Sequence, residues 1–230
     1  MGEDATLHLR PHAEVAERVL LPGDPGRALR LAQALLDRPR MLNHNRGLWG
    51  YTGTAADGRP LTIQSTGMGG PSAAIVAEEL ITLGARRLLR VGTCGALAAG
   101  PGLGALVVAD AVLAEDGASR ALGAEGTVRP DPQLHRRLAA AADSAAAGLV
   151  VSSDLFYDPD PARAARWAAA GALAVEMEAA TLLTVARRRG VAAACVLAVS
   201  DVVAERRHIG AAALEQAEAE LGRVGAAALA

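Results

Sequence analysis

The chain has 230 residues, of which 51% are hydrophobic and 21% charged, and its formal net charge is −2. This balance predicts a globular protein and excludes a strongly basic surface for DNA, RNA or anionic membranes. The sequence contains no lysine, which excludes a Schiff-base mechanism, and its two cysteines lie in apolar runs without a disulfide pattern. It also shows no signal-like segment and no apolar run long enough to span a bilayer, so we expect a cytoplasmic protein.

Strand-like and helical segments alternate along the chain. In order, the pattern predicts strand 18–23, helix 27–36, hairpin 47–67 with its turn at Asp57-Gly58, helix 71–84, strands 86–95 and 104–110, helices 132–147, 160–170 and 179–190, strand 191–201 and helix 211–229. This alternation predicts an α/β fold. We expect a single domain over residues 1–230, with a central mixed, largely parallel sheet flanked by helices.

Two predicted strands end in glycine-containing turns that also carry arginines. The segment "PGDPGR" (22–27) offers Gly23 and Arg27, and "RVGTCG" (90–95) offers Arg90 and Thr93. Ligands of open α/β sheets bind at such strand ends, and two guanidinium groups with a hydroxyl can hold a tetrahedral oxyanion such as phosphate. Each turn alone is more often an ordinary turn with solvated arginines. Neither a P-loop nor a complete dinucleotide-binding motif is present.

Acidic residues follow two further strand-like segments. "VEMEAA" (175–180) places Glu176 and Glu178 one residue apart, and alternate residues of a strand share a face, so both could accept hydrogen bonds from a ribose diol. The alternative is a pair of favourable charges in the first turn of a helix. Asp201 ends a mostly apolar segment and could act as a general acid, although capping is the commoner role. The histidines and cysteines show no metal-binding pattern.

Seven segments together resemble one known family. They are "LLPGDPGRA", "NRGLWGYTG", "TGMGGPSAAIVAEEL", "LLRVGTCGA", "SSDLFY", "VEMEAATLL" and "AVSD", in this order between about residues 8 and 201. They resemble the nucleoside phosphorylases, most closely bacterial purine nucleoside phosphorylases of the hexameric type. The resemblance implies the nucleoside phosphorylase fold and a pentosyltransferase of purine salvage, which converts purine ribo- or deoxyribonucleosides and phosphate into free base and pentose 1-phosphate. It also implies no cofactor, no metal, and a homohexamer built as a trimer of dimers.

The resemblance also assigns residues to sites. It places Gly23, Arg27, Arg90 and Thr93 at the phosphate, with Arg46 reaching the phosphate of a neighbouring subunit. The implied nucleoside site contains His8 (with His12 as a rival) from a neighbour, Met68, Phe156, Val175, Glu176, Met177, Glu178 and Ser200, with Glu178 on the ribose diol. Asp201 lies near purine N7 as the catalytic acid. The family usually supplies an arginine that assists this acid, and Arg206 and Arg207 are the candidates here.

Three other functions remain as alternatives. A uridine phosphorylase would carry Gln and Arg after its aromatic wall, whereas "YDPDPARA" follows Phe156 here. A hydrolase of 5′-methylthioadenosine or adenosylhomocysteine would use water and would not need Arg27, Arg46 and Arg90 around one anion. A non-enzymatic binding protein would have little use for an acid at the leaving group. The choices between 6-oxo and 6-amino purines, and between ribose and deoxyribose, stay open.

Overall fold

The computed structural model describes residues 6–97 and 100–230. Its helices are α1 (Pro25–Leu35), α2 (Gly70–Thr82), α3 (Gly117–Ala121), α4 (Pro132–Ala141), α5 (Arg163–Ala169), α6 (Ala179–Arg189) and α7 (Ala211–Leu229). Its strands are β1 (Arg18–Leu21), β2 (Leu36–Asn43), β3 (Gly50–Ala55), β4 (Pro60–Gln64), β5 (Arg87–Ala96), β6 (Leu106–Ala114), β7 (Thr127–Val128), β8 (Ala146–Ser152), β9 (Ala172–Glu176), β10 (Ala192–Val202) and β11 (Arg207–His208). A short 3-10 turn, Asn45–Gly47, lies between β2 and β3.

One mixed sheet contains all of these strands. Neighbours run parallel along β4–β1–β5–β10 and along β6–β8–β9. Antiparallel pairs of β10 with β6 and of β5 with β9 join the two groups, so β5, β10, β6, β8 and β9 close into a ring. Helices α1, α4 and α7 pack on one apolar cluster of the sheet and α2 and α6 on another. The predicted α/β class with a central mixed sheet flanked by helices is confirmed.

Small residues let the helices pack closely on this sheet. A Cβ on Gly225 of α7 would come within 2.8 Å of Leu20 on β1, and one on Gly222 within 2.4 Å of Leu31 on α1. The core is therefore built from alanine, valine and leucine in close contact, as the 2% aromatic content indicates. Across residues 6–97 and 100–230, every helix is too short or too polar to span a bilayer.

The observed elements differ from the sequence prediction in several places, of which one helix end and two edge strands are the clearest. The predicted helix 132–147 ends at Ala141, because residues from Ala146 onward pair in parallel with β6 as strand β8. Alanine favours helices, but the preference of each residue is small, so pairing in the sheet decides the outcome. The edge strands β2 and β11 were not predicted, since β2 is polar and mostly exposed, and β11 has only two residues.

Candidate active site

The site lies at the carboxyl ends of β1, β4 and β5, where two turns contact each other. The turn after β4 donates from Thr66 N–H to Pro22 O at 2.9 Å and from Gly67 N–H to Gly23 O at 3.1 Å. A Cβ on Gly23 would sit 3.3 Å from Gly67 O, so a larger residue would crowd the two turns. In the adjacent pair, Leu21 at the end of β1 lies opposite Arg90 of β5. This register places the predicted glycine turn beside the predicted arginine.

Arg90 is the centre of a buried ion-pair network. Its Nε donates to Glu176 Oε2 at 2.8 Å, and its Nη2 lies 2.5 Å from Glu178 Oε2. Its guanidinium passes over Gly92, where a Cβ would come within 2.7 Å of Arg90 Cζ. Burial disfavours the charge, but the two carboxylates outweigh it and hold the pKa of Arg90 above the ordinary arginine value. Within the described residues, the buried Nη1 has no hydrogen-bond partner.

Glu176 is fixed by donors from the protein itself. Its carboxylate accepts hydrogen bonds from Arg90, from the Ser152 hydroxyl, and from the backbone N–H groups of Glu178 at 2.9 Å and Ala179 at 3.0 Å. Its side chain is 1% exposed. Strand β9 ends at Glu176, and Glu178 is already the N-cap residue of α6, so the strand alternation predicted for the two glutamates does not hold. Glu176 therefore orients Arg90 and the start of α6, with Met177 between the two acids.

Glu178 connects Arg90 to the turn that precedes α2. Its Oε1 accepts from Gly69 N–H at 2.5 Å, while its Oε2 faces Arg90. Gly69 has a φ of +86°, a conformation that glycine adopts without strain. Burial raises the pKa of Glu178 above its ordinary value, Arg90 opposes that shift, and Glu176 adds to it. The neighbouring Met68 is largely exposed, so the structure brings the predicted ribose residues Met68 and Glu178 together at one edge.

Arg27 approaches the same part of β5 from α1. Its Nε donates to Glu218 Oε1 at 2.8 Å, and its Nη1 lies 3.4 Å from Val91 O. The two predicted phosphate arginines, Arg27 and Arg90, thus both reach the Val91-Gly92 segment, and Thr93 follows directly in β5. Sequence reasoning missed Glu218, which also pairs with Arg30. Its only sequence signal is an acidic residue on the alanine-rich helix α7.

The predicted base end lies around Gly95 of β5. Val175 of β9 and Asp201 of β10 are the register partners of Gly95 on either side. A Cβ on Gly95 would sit 2.6 Å from Asp201 Oδ2, so the carboxyl leans over this glycine. The register shifts between Val199 and Asp201, and the intervening Ser200 donates to Asp201 Oδ1 at 3.0 Å. The bulge and the Ser200 hydroxyl therefore hold the Asp201 carboxyl over Gly95.

The aromatic side chain predicted to face the base lies in the segment after β8. Phe156 is 66% exposed and packs edge-on against Tyr157, with ring centroids 5.0 Å apart. Nearby Asp160 pairs with Arg166 at 2.5 Å. This side of the site is open to solvent, in contrast to the buried network around Arg90.

The predicted assistance of Asp201 by Arg206 or Arg207 is not seen. Arg207 lies opposite Val202 in the β10–β11 pair, and its Nε lies 2.9 Å from Glu205 Oε2. Arg206 occupies the connecting turn with a φ of +50°. Among the described residues, no hydrogen bond or ion pair joins either arginine to Asp201.

His8, His12 and Arg46 lie on one surface, which we call the histidine–arginine surface (His8, His12, His44 and Arg46). His8 Nδ1 lies 2.7 Å from Glu79 Oε1, and His8 O accepts from Asn45, the residue before Arg46, at 2.9 Å. The rings of His12 and His44 stack at 5.4 Å. Glu79 lies nine residues beyond Gly70 on α2, about 14 Å along the helix from the Gly69–Glu178 contact. His8 is therefore held at the end of α2 away from that contact.

Comparison with known proteins adds an independent result. The sequence model described as "Phosphorylase superfamily" matches residues 17–230. A purine nucleoside phosphorylase DeoD-type from Caldanaerobacter subterraneus subsp. tengcongensis is 39% identical over 196 residues, covering 82% of this chain and 84% of that protein. One from Roseobacter denitrificans is 41% identical over 207 residues, covering 85% and 87%. A guanosine phosphorylase from Halorubrum lacusprofundi is 40% identical over 191 residues, covering 81% and 78%.

Proposed function

Because this chain belongs to the phosphorylase superfamily, we propose that it cleaves purine nucleosides with inorganic phosphate, releasing the free base and a pentose 1-phosphate. The observation that carries the proposal is the buried Arg90 Nη1, which has no partner among the described residues although both other guanidinium nitrogens are paired. Leaving a buried N–H donor without an acceptor costs free energy, so we expect Nη1 to bind an acceptor from outside the chain. A phosphate oxygen is a strong acceptor for guanidinium.

The neighbouring groups support phosphate as that acceptor. Arg27 Nη1 lies 3.4 Å from Val91 O in the same segment of β5, and Glu218 holds the Arg27 Nε. Gly23 and Thr93 add a close backbone and a hydroxyl near the same strand ends. Two arginines around one anion are unnecessary for a hydrolase that uses water, and this favours phosphorolysis over the hydrolase alternative.

The sugar is assigned to Glu178 and Met68. In the free structure Glu178 has a backbone donor and Arg90 as partners, and its remaining acceptor capacity suits the two hydroxyls of a ribose diol. Holding the sugar by its diol above the bound phosphate makes the attack on the anomeric carbon effectively intramolecular. As in glycoside cleavage, the transition state carries positive charge on the sugar, which the phosphate dianion stabilises.

The base is assigned to the space between Phe156 and Asp201. As the bond from the anomeric carbon to purine N9 breaks, its electron pair passes to the ring, and protonation of N7 by Asp201 neutralises that charge. Where a uridine phosphorylase would place its uracil-reading Gln and Arg, this chain has Asp160, paired with Arg166, and Ala162. This difference, together with the relatives named as purine nucleoside phosphorylases, favours a purine.

We assign the histidine–arginine surface to the pocket of a second subunit. His8 is anchored away from the Gly69–Glu178 contact of its own chain, while Arg46 is exposed beside it. A homo-oligomer, built as a hexamer of three dimers, would bring this surface to a neighbour's phosphate and ribose. In this proposal the enzyme serves purine salvage in the cytoplasm and needs only the two substrates, without a metal or a cofactor.

The deciding experiment is base release from inosine, guanosine, adenosine and uridine, each with and without phosphate, followed by chromatography. We expect phosphate-dependent release of purine bases together with pentose 1-phosphate. Release that is independent of phosphate would establish the hydrolase, and release of uracil alone would establish the uridine phosphorylase. Light scattering of the same preparation tests assembly, since a fully active monomer contradicts the shared pocket.

A further inference from the structure

Asp201 has an ionisable neighbour that the sequence motifs do not reveal. In the antiparallel pair of β10 with β11, Asp201 lies directly opposite His208. A backbone hydrogen bond of 2.8 Å from Ile209 N–H to Ser200 O supports this register. Directly opposite residues of antiparallel strands carry their side chains on the same face, with Cβ atoms about 4.5–5.5 Å apart. His208 therefore lies on the same face of the β10–β11 pair as Asp201, and it is exposed to solvent.

We propose that His208 is the positioning residue of the leaving-group acid, whose imidazolium orients the Asp201 carboxyl and returns a proton to it after each turnover. The inference rests on the proposed phosphorolysis and deepens it by naming how the acid is recharged. Imidazole is the side chain that normally changes charge between about pH 5 and 8, so an exposed histidine can exchange protons with solvent during catalysis.

The two arginines of the same hairpin are placed less well for this role. Arg207 faces Val202, so it lies on the other side of the strand from Asp201, and it is already paired with Glu205. Arg206 lies in the turn rather than in the ladder. The register thus selects the histidine over both arginines.

The other groups around the hairpin do not supply a competing base. On β5, burial raises the pKa of the Cys94 thiol, with smaller additions from nearby charges that include Asp201, so the thiol stays neutral.

The other elements near the hairpin carry few ionisable groups. The segment 100–105, whose Gly104 lies near Ile209, carries no titratable side chain. The first charged residue of α7 is Glu215, and its first basic residue, Arg223, pairs within its own helix. The charged groups on the hairpin itself are Glu205 and the two arginines.

In the proposed step, each proton that leaves Asp201 is replaced by one from water through His208. A bond forms between a phosphate oxygen and the anomeric carbon, the bond to N9 breaks, and the Asp201 proton moves to purine N7. Asp201 is left as a carboxylate, which the imidazolium of His208 stabilises by a charge-assisted hydrogen bond. The imidazolium proton then passes to Asp201, and neutral His208 takes a proton from water.

The test compares the full-length wild-type protein with its His208→Gln variant. Both are assayed on two nucleosides at saturating phosphate, between about pH 5.5 and 8.5. Inosine needs a proton at N7, whereas 7-methylguanosine carries a methyl group there and leaves without one. For inosine we expect the wild-type to variant ratio of kcat to be about 10 near pH 6 and to fall toward 1 near pH 8.5, because only the protonated histidine helps. For 7-methylguanosine we expect the ratio to stay near 1.

Two further variants exclude a merely structural role. His208→Arg keeps a cation opposite Asp201 but cannot return a proton, so its kcat on inosine at pH 6 should lie between those of wild type and His208→Gln. His135→Gln changes a histidine on α4 that lies 3.0 Å from Asp110 and should leave both nucleosides unaffected. A pH-independent ratio on inosine, or an equal loss on 7-methylguanosine, would overturn the inference. A wild-type protein that cleaves neither nucleoside would instead remove the proposed function, and the inference with it.

Discussion

The inner part of the candidate site, around Arg90, and its outer part, around Phe156 and Asp201, are built differently. In the inner part, Arg90, Glu176 and Glu178 are at least nine-tenths buried and hold one another by ion pairs and backbone hydrogen bonds. In the outer part, Phe156 is 66% exposed, and Asp201 lies near the end of β10, opposite the two-residue strand β11. The phosphate and ribose side is thus assembled before a substrate arrives.

This difference indicates how the enzyme divides its tasks. Phosphate and pentose are common to all substrates of the proposed reaction, and a rigid, preorganised site suits groups that do not vary. Bases differ at the 6-position, and an open wall with exposed side chains can accept several of them. We therefore expect substitutions in the inner part to affect every nucleoside, and those in the outer part to affect nucleosides unequally.

The largest expected effect distinguishes Glu178 from Glu176. Glu178→Gln removes the negative charge and replaces one of the two carboxylate oxygens with an NH2 donor. It should lower kcat/KM about 10²–10³-fold on all purine nucleosides, since hydrogen bonds to charged groups contribute about 1.5–3 kcal/mol each. Steady-state kinetics with inosine and adenosine measure the loss. An equal activity in the variant would place the sugar elsewhere.

Glu176→Gln is the matched control for that variant. Because Glu176 is fully engaged by Arg90 and by backbone donors, its main effect should be on folding, a loss of about 3 kcal/mol in the free energy of unfolding. Urea denaturation of both variants separates the roles. If Glu176→Gln unfolds like wild type, the network around Arg90 is not held as described.

A smaller effect is expected in the outer part. Phe156→Ala removes an exposed aromatic surface for the base and should raise KM about 5–10-fold with kcat within about twofold, because a stacked base contributes about 1–3 kcal/mol and this ring is only partly buried. The rise should differ between inosine and adenosine. A loss of kcat equal to the rise in KM would show that Phe156 contributes to the chemical step.

The smallest effect on activity is expected at the opposite end of β1. Arg18 lines a groove of about 730 Å³ there. Asp57 pairs with Arg18 at 2.6 Å, and other N–H groups of Arg18 donate to backbone carbonyls, so its donors are already used within the protein. Asp57→Asn should leave kcat/KM within about twofold and lower the free energy of unfolding by about 1–3 kcal/mol at neutral pH. Thermal and urea unfolding measure this loss.

The same pair predicts a pH dependence. Arg18 holds the pKa of Asp57 well below its ordinary value. The stabilisation is therefore present above the ordinary aspartate value of about 3.9 and is lost as the pH falls below it. The stability difference between wild type and Asp57→Asn should be constant above about pH 5 and shrink in stronger acid. A difference that grows in acid would contradict the ion pair.

Much of the fold could be read from local patterns. Helix 211–229 was predicted at its observed bounds, and the hairpin turn at Asp57-Gly58 and the helix stop at Gly190 follow from glycine and turn chemistry. The predicted helix after Pro132 extends too far, because alanine favours a helix and the pairing of β8 with β6 overrides that preference. Edge strands β2 and β11 lack the apolar pattern that predicts strands.

The residue types of the candidate site were also present in the sequence, but their roles were not all separable. Glu176 and Glu178 are equivalent in the sequence pattern. Only the structure, in which β9 ends at Glu176 and α6 begins after Glu178, shows that Glu176 is a structural anchor and Glu178 a candidate ligand-binding residue. Glu218 and His208 carry no motif. Each becomes visible only when α7 or β11 is placed against another element.

The sequence by itself determined the α/β class, the family and the set of arginines, glutamates and the aspartate that its motifs carry, because these depend on local spacing and composition. The tertiary structure decided which groups lie together: Arg27 and Arg90 at the Val91-Gly92 segment of β5, Glu178 at Gly69, and Asp201 opposite His208. Except for Asp201 and His208, these residues are far apart in the chain. Their relative positions depend on strand register and helix packing, which arise from burial of the whole core and not from any local segment.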